Sequence, residues 1–294
     1  MLFAPWLIYN LPGINREKKG IICYVALLEM ATCLQGTQTN AMVAALILGA
    51  FVAFEKKCQW LAAFAIAAGF YIKVFPIVAL SLFILYPDKI NFLLKFIIAF
   101  LLLGALPLLF ISPAELAWQY HNWLHVLVED SSDNYGKISL TGFFQSYFNL
   151  SEAGKLYIQL LGIIIFCTMY VNFKLFKNNI YRYYFLSAML IWVAIFNHAA
   201  EIYSYAIAIW GVGIWFVLQP MHKLQGVFIG CFIFFATILS IDPTPRVISD
   251  FLYHHSLKAL PFTIVFLRIV WQLWQLPRHL PAQPLQTNSY VSLL

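Results

Sequence analysis

Charge is what this sequence has least of. Only 10% of its 294 residues are Asp, Glu, Lys or Arg, where an ordinary soluble domain carries about 25%. Hydrophobic residues make up 62% and aromatic residues 18%, and the mean hydropathy is +0.80. This balance excludes a conventional soluble enzyme and points to an all-α, polytopic membrane helix bundle. The five cysteines, Cys23, Cys33, Cys58, Cys167 and Cys231, have no Cys-x-x-Cys spacing and lie mostly in apolar runs, so neither a disulfide framework nor a metal site is expected. A Gly-rich phosphate loop, a nucleophile elbow and a dinucleotide fingerprint are also missing, which removes the common soluble enzyme classes. The net charge of +6 comes from short basic clusters between apolar runs, a pattern of membrane topology rather than of nucleic-acid binding. The opening MLFAPWLIYNLPG has no basic start and no small-residue cleavage pattern. It reads as the last half of a span, not as a secretory signal.

What the sequence does have is a succession of apolar runs, at 21–34, 41–54, 60–72, 74–86, 92–111, 156–171, 184–196, 203–218, 224–241 and 260–276. They predict about 9–11 transmembrane helices in one membrane-embedded domain over 1–276, multi-pass in the plasma (inner) membrane, with a disordered cytoplasmic tail over 277–294. If each run crosses once, REKK, EKK, PDK with Lys95, KLFKNNIYR, MHK and PRH all fall on one face, which the positive-inside rule assigns to the cytoplasm. The outer face then receives LQGTQTN, the junction at Lys73, the connection 112–151, the polar knot NHAAE and DPTPR. Within 112–151, Ser112 and Pro113 can start a helix, and Trp118, Trp123, Leu124 and Leu127 form an amphipathic stripe. That combination predicts an interfacial helix.

Several polar residues stand out against this background. Lys73 interrupts an apolar run three residues before Pro76, which predicts a helix break at the outer face. A cation there suits a phosphate arriving from the membrane, or it snorkels to the interface. Gln38 carries donor and acceptor atoms suited to sugar hydroxyls, and Thr39 or Asn40 reads equally well as a helix cap. His198 and Glu201 are three residues apart, so one helical face could turn both into one cavity, while Glu201 also fits a capping role at a helix start.

These residues lie in segments that resemble a known family. LQGTQTNAMVAALILGAFVAFEKKCQWLAAFAIAAGFYIKVFPIVALSLFILYPDK resembles the Gln-x-Asn helix and the Lys-x-x-Pro helix of glycosyltransferase family 87, membrane enzymes of the GT-C superfamily. WQYHNWLHVLVEDSSDNYGKISLTGFF resembles that family's outer loop, with its Ser-x-x-Gly segment at Ser139 to Gly142, and IFNHAAEIYSYAIAI its late polar junction. The resemblance implies an inverting transferase that takes a hexose, typically mannose, from a polyprenyl-phosphate donor. The acceptor would be a lipid-linked or envelope glycan outside the cytoplasm. It implies Lys73 as the contact for the donor phosphate, and Gln38, Asn40, Ser139, His198 and Tyr205 as substrate-binding residues, with no nucleotide, cofactor or metal. The acid that such enzymes usually carry in the first outer loop has no counterpart here, as in a chain truncated at its start. Asp130 and Glu201 are then the expected catalytic acids. A transporter or flippase using Lys73, His198 and Glu201 as a charged relay, or a non-catalytic subunit, would explain the same polar residues differently.

Cysteine placed at position 40 or 201, in a background without the native cysteines, distinguishes these alternatives. A transferase predicts labelling from the outer side alone, and labelling from both sides in turn would favour transport.

Overall fold

The computed structural model describes residues 3–130, 138–197, 199–219, 226–227, 230–233, 237 and 245–276. The expected span over 224–241 and the tail over 277–294 lie largely or wholly outside these residues, as do Asp133 and His198. The described chain is all-α, with helices α1 (Phe3–Tyr9), α2 (Arg16–Gln35), α3 (Asn40–Glu55), α4 (Gln59–Ile72), α5 (Lys89–Ala105), α6 (Pro113–Asp130), α7 (Leu140–Phe148), α8 (Glu152–Thr168), α9 (Asn179–Ile195), α10 (Tyr205–Leu218), α11 (Arg246–His254) and α12 (Ala259–Gln275), and a long 3-10 helix at Phe75–Leu85. Asn15, Ser139, Ser151 and Asn178 cap α2, α7, α8 and α9 through side-chain oxygens that accept from the first-turn amides, the local chemistry that lets these helices start where they do.

The predicted runs that fall within the described residues thus form helices within a few residues of their expected ends. Two differ in kind. The run over 74–86 is a 3-10 helix rather than an α-helix. The turn carrying NHAAE is not helical, because α9 ends at Ile195 and Asn197 Oδ1 accepts from Ala199 N at 3.1 Å, a local side-chain contact that competes with the next helical turn. Glu201 therefore does not continue α9 but caps the short 3-10 helix that follows, while its expected companion His198 lies outside the described residues. Among the described residues, only Lys89–Leu109, which joins α5 to a short 3-10 turn, is long and apolar enough by itself to cross a membrane; α11 with α12, bent by 53°, would make a second. α3, α4, the 3-10 helix and the 202–218 segment are apolar but shorter.

The core follows from the pattern of each helix. α9 is buried continuously from Tyr181 to Ile191 and α10 from Tyr205 to Trp215, as expected of helices that are apolar on every side. They pack closely on each other, and a Cβ added at Gly211 would run into the Ser187 carbonyl. α2 and α3 flank α10, α4 packs on α3 and α5, and α12 packs on α9. α5 instead buries only Phe92, Phe96 and Ala99, one stripe at helical spacing, and exposes Leu94, Ile97, Ile98, Leu101 and Leu102. α6 is the expected Ser112-capped helix, with Glu115 N donating to Ser112 Oγ at 3.2 Å. It rests on α5 through Tyr120, whose hydroxyl donates to the Gly104 carbonyl at 2.6 Å, and on α4 through Trp123 against Phe70.

The two ends of α3 define the two ends of the bundle. At its C-terminal end, Glu55 accepts from Arg182 Nε at 2.6 Å, from Arg182 Nη2 at 3.0 Å and from the Tyr86 hydroxyl at 2.5 Å. Lys56 donates to Asn10 Oδ1 and Lys95 to Gln59 Oε1 nearby, so basic clusters from distant parts of the sequence meet here. Arg182 belongs to one of those clusters in sequence, yet it is a buried structural cation. Removing one partner of a buried pair costs about 3–5 kcal/mol. Arg182→Met should therefore lower the melting temperature of the detergent-solubilised protein markedly, and the double variant Glu55→Gln, Arg182→Met should recover much of it. A melting temperature unchanged by the single substitution would remove the pair from the stability account.

Candidate functional site

The opposite end of the bundle collects the polar residues singled out from the sequence. α4 stops at Ile72, and Lys73 has extended backbone (φ −150, ψ 141) before the 3-10 helix begins. The break arises as expected, since Pro76 cannot donate within a continuing helix. It frees the Lys73 side chain to reach Asn40, donating to Oδ1 at 3.0 Å. Asn40 is the first residue of α3 rather than its cap, and Thr39 makes no side-chain capping bond. Asn40 is 0% exposed, and its Nδ2 has no protein partner. A buried amide left half satisfied costs about 1–3 kcal/mol, so this donor is an anomaly that invites a ligand atom.

The loop before α3 is held in a fixed shape. Thr37 takes a left-handed conformation (φ 50), Gln38 N donates to the Cys33 carbonyl at 3.1 Å, and Cys33 Sγ lies 3.5 Å from the Gln38 carbonyl. Gln38 itself is partly buried beside Asn40. Gly36 lies against the ring of Tyr203, which a Cβ there would meet at 2.5 Å. This close approach docks the 36–40 loop on the short 3-10 helix Ile202–Ser204.

Glu201 stands at the start of that 3-10 helix and is exposed. Its side chain accepts from the Ser204 amide, while Ser204 Oγ accepts from Glu201 N at 3.1 Å, a reciprocal capping box. The capping alternative is thus realised, and the carboxylate also faces solvent. Ser139 is buried and caps α7, accepting from Gly142 N at 3.1 Å, so the Ser-x-x-Gly spacing has a structural cause. Tyr205 is fully buried, its hydroxyl donating to the Ile138 carbonyl at 3.3 Å, and Ile138 N donates to the Ala200 carbonyl at 2.6 Å. Ser139, the 199–205 segment and the 36–40 loop are therefore neighbours, although they are far apart in sequence. Asp130 is the last residue of α6, and its side chain, like His198, lies outside what the structure describes.

Two residues that sequence reasoning missed complete this end. Glu29, on α2 one helical turn before Cys33, is 0% exposed, and Lys258, just before α12, is 6% exposed. Lys258 Nζ lies 2.7 Å from Glu29 Oε1 and 2.9 Å from Oε2, but only Oε2 receives a well-directed hydrogen bond. The ammonium also lies 5.1 Å from the centre of the Tyr205 ring. Cys33 Sγ is within electrostatic reach of both Glu29 and Lys73, so the ion pair and the Lys73–Asn40 contact flank the same cysteine. A lone carboxylate inside the apolar run 21–34 was the signal that could have found Glu29. Lys258 follows a polar HHS and had no such contrast.

The Lys73–Asn40 contact, the Glu29–Lys258 pair and the exposed carboxylate of Glu201 are the polar groups gathered at this end of the bundle. The sequence model of glycosyltransferase family 87 matches residues 14–199, more than half of the chain, and the chain belongs to that family. It is accordingly a glycosyltransferase of the GT-C type, from a membrane-associated family, acting between a sugar donor and an acceptor. No curated protein and no solved structure matches it.

The contact between Gly36 and Tyr203 carries a direct test. Gly36→Val should displace the Tyr203 ring and destabilise the protein, whereas Gly20→Ala, where nothing lies within 4 Å of an added Cβ, should leave it unchanged or slightly more stable. Equal melting temperatures for the two variants would show that the loop is not held by this contact.

Proposed function

We propose that this chain is an integral membrane transferase that takes a hexose, mannose by family resemblance, from a polyprenyl-phosphate carrier and passes it to a lipid-linked or envelope glycan on the outer face of the plasma membrane. The observation that carries this reading is the Lys73–Asn40 pair: a cation at a helix break, bonded to a buried amide that keeps a free donor. Lys73 would meet the phosphate and Asn40 Nδ2 a sugar or phosphate oxygen. Gln38 and His198 would line the pocket, with Ser139 and Tyr205 as its supporting wall. The exposed apolar faces of α2, α5, α8 and α12, including Tyr24, Leu101, Ile164 and Trp274, support immersion in lipid, because soluble monomers rarely expose such continuous apolar surface. Helices too short to span alone fit a bundle in which neighbours bury their ends.

As the acceptor oxygen attacks the anomeric carbon, the bond to the carrier phosphate breaks and its oxygen takes up negative charge, which a lysine ammonium would stabilise. The acceptor's proton needs a base. Glu201 is the carboxylate of this end that reaches solvent and is proposed for that role; Asp130 is its alternative.

Transfer of radiolabelled sugar from a polyprenyl-phosphate sugar, in membranes containing the chain, tests this. Lys73→Ala should abolish donor use while Lys57→Ala, on the basic end, should not; comparable losses would defeat the Lys73 assignment. Glu201→Gln should reduce turnover by about 10²–10⁴-fold without unfolding the protein, and an unchanged rate would leave Glu201 as a cap alone.

A further inference from the structure

The bundle holds two buried ion pairs, and they are built differently. Glu55 is saturated: a two-point contact with Arg182 and a tyrosine hydroxyl occupy both its oxygens, and Arg182 donates further to the Phe176 carbonyl at 3.0 Å and to Asn179 Oδ1. Such a pair is a clamp, with nothing left to offer. Among the described residues Glu29 has a single partner, a lysine point charge, which lies 2.7 Å from Oε1 without a directed hydrogen bond and bonds Oε2 at 2.9 Å. Burying two ions costs several kcal/mol each, and pairing offsets this only when the remaining hydrogen-bonding groups are also satisfied. Here they are not. Thr141 Oγ1, 5% exposed on α7, is likewise unpartnered, and α7 adjoins Ile138, which receives the Tyr205 hydroxyl bond. Asn40 Nδ2 and Asn197 Nδ2 are further buried groups of this end without a hydrogen-bond partner among the described residues.

The two members of the pair also differ in mobility of attachment. Glu29 sits in the interior of a 20-residue helix. Lys258 sits in the turn at the 53° bend between α11 and α12, next to Ser256, which takes a left-handed conformation (φ 49). Among the described residues its carboxylate partner is Glu29, and Glu29 and Lys73 both lie within electrostatic reach of Cys33.

We infer that Lys258 is a second anion-binding cation of this site, held by Glu29 until a phosphodiester of the polyprenyl-phosphate type arrives and shares it. The inference rests on the donor class proposed above and adds to it a residue from beyond the stretch matched by the family. Glu29 is then a positioning residue: it keeps an ammonium charged inside an apolar bundle and gives up part of its hold when the phosphate enters. One lysine would meet the phosphate from the α4 break and the other from the α11–α12 bend.

The test is retention of a polyprenyl phosphate by the full chain in nanodiscs, measured as a dissociation constant together with the melting temperature. Lys258→Met should weaken binding by about tenfold or more, the worth of a hydrogen bond to a charged group. Glu29→Gln should tighten it, because Lys258 loses its competing carboxylate; a merely structural pair would give the opposite sign. The double variant Glu29→Gln, Lys258→Met removes both charges and should melt near the wild type while binding as weakly as Lys258→Met. The same order of variants is expected with inorganic phosphate as a competitor. A double variant that regains wild-type affinity, or a folded Glu29→Gln protein that binds as weakly as Lys258→Met, overturns the role of Lys258 and leaves the donor class standing. A wild-type protein that retains no polyprenyl phosphate overturns the donor class itself, and this role with it.

Discussion

A helix bundle this apolar can hold charge only where the charge is paired or reaches water, and that constraint sorts the polar residues of the structure to its two ends. The long middle of α3, α9 and α10 is free of ions. At one end Glu55, Arg182 and Tyr86 form a closed set, ringed by lysines that bond to Asn10 and Gln59. At the other, Glu29, Lys258, Asn40 and Lys73 form an open set in which several donors and acceptors remain unused. The first end holds the bundle together, and the second is where a polar ligand can improve on the protein's own contacts.

Much of this organisation was legible in the sequence, for reasons that can be named. The apolar runs marked the helices because burial and helical period act locally. The break at Lys73 was legible because a cation and a proline three residues apart in an apolar run both oppose a continuous helix. Ser112 was legible as a cap because its signal is local, and Ser139, met first as part of a family resemblance, turned out to cap for the same reason. What could not be read was partnership. Lys258 and Glu29 are separated by 229 positions and Arg182 and Glu55 by 127, and no local rule pairs them. Arg182 looked like one more basic residue of a cytoplasmic cluster. At NHAAE, spacing alone left a shared helical face and a capping role both open for Glu201, and what decides for the cap is local: the bond that Asn197 accepts from Ala199 and the box that Glu201 forms with Ser204.

The family match covers α2 to the end of α9 and stops before the 3-10 helix that carries Tyr203. Asn40, Lys73 and Ser139 lie within it; Glu201, Tyr205 and Lys258 lie past it. The site is therefore a joint product of the matched helices and of the segments that follow, with Gly36 against Tyr203 and Ile138 against Ala200 as the seams. Any account of specificity has to consider both parts, since the later segments dock, through Tyr203 on Gly36, on the loop that leads into Asn40.

The 3-10 helix Phe75–Leu85 has a consequence of length. Eleven residues rising about 2.0 Å each extend some 22 Å, whereas as an α-helix at about 1.5 Å each they would extend only some 16 Å. The segment is thus drawn out by roughly one helical turn between two fixed points, Lys73 at one end of the bundle and Tyr86, bonded to Glu55, at the other. It works as a stretched strut: the hydrogen-bond pattern along it sets how far the lysine stands from the Glu55–Arg182 clamp, and so how widely the two ends of the bundle are held apart.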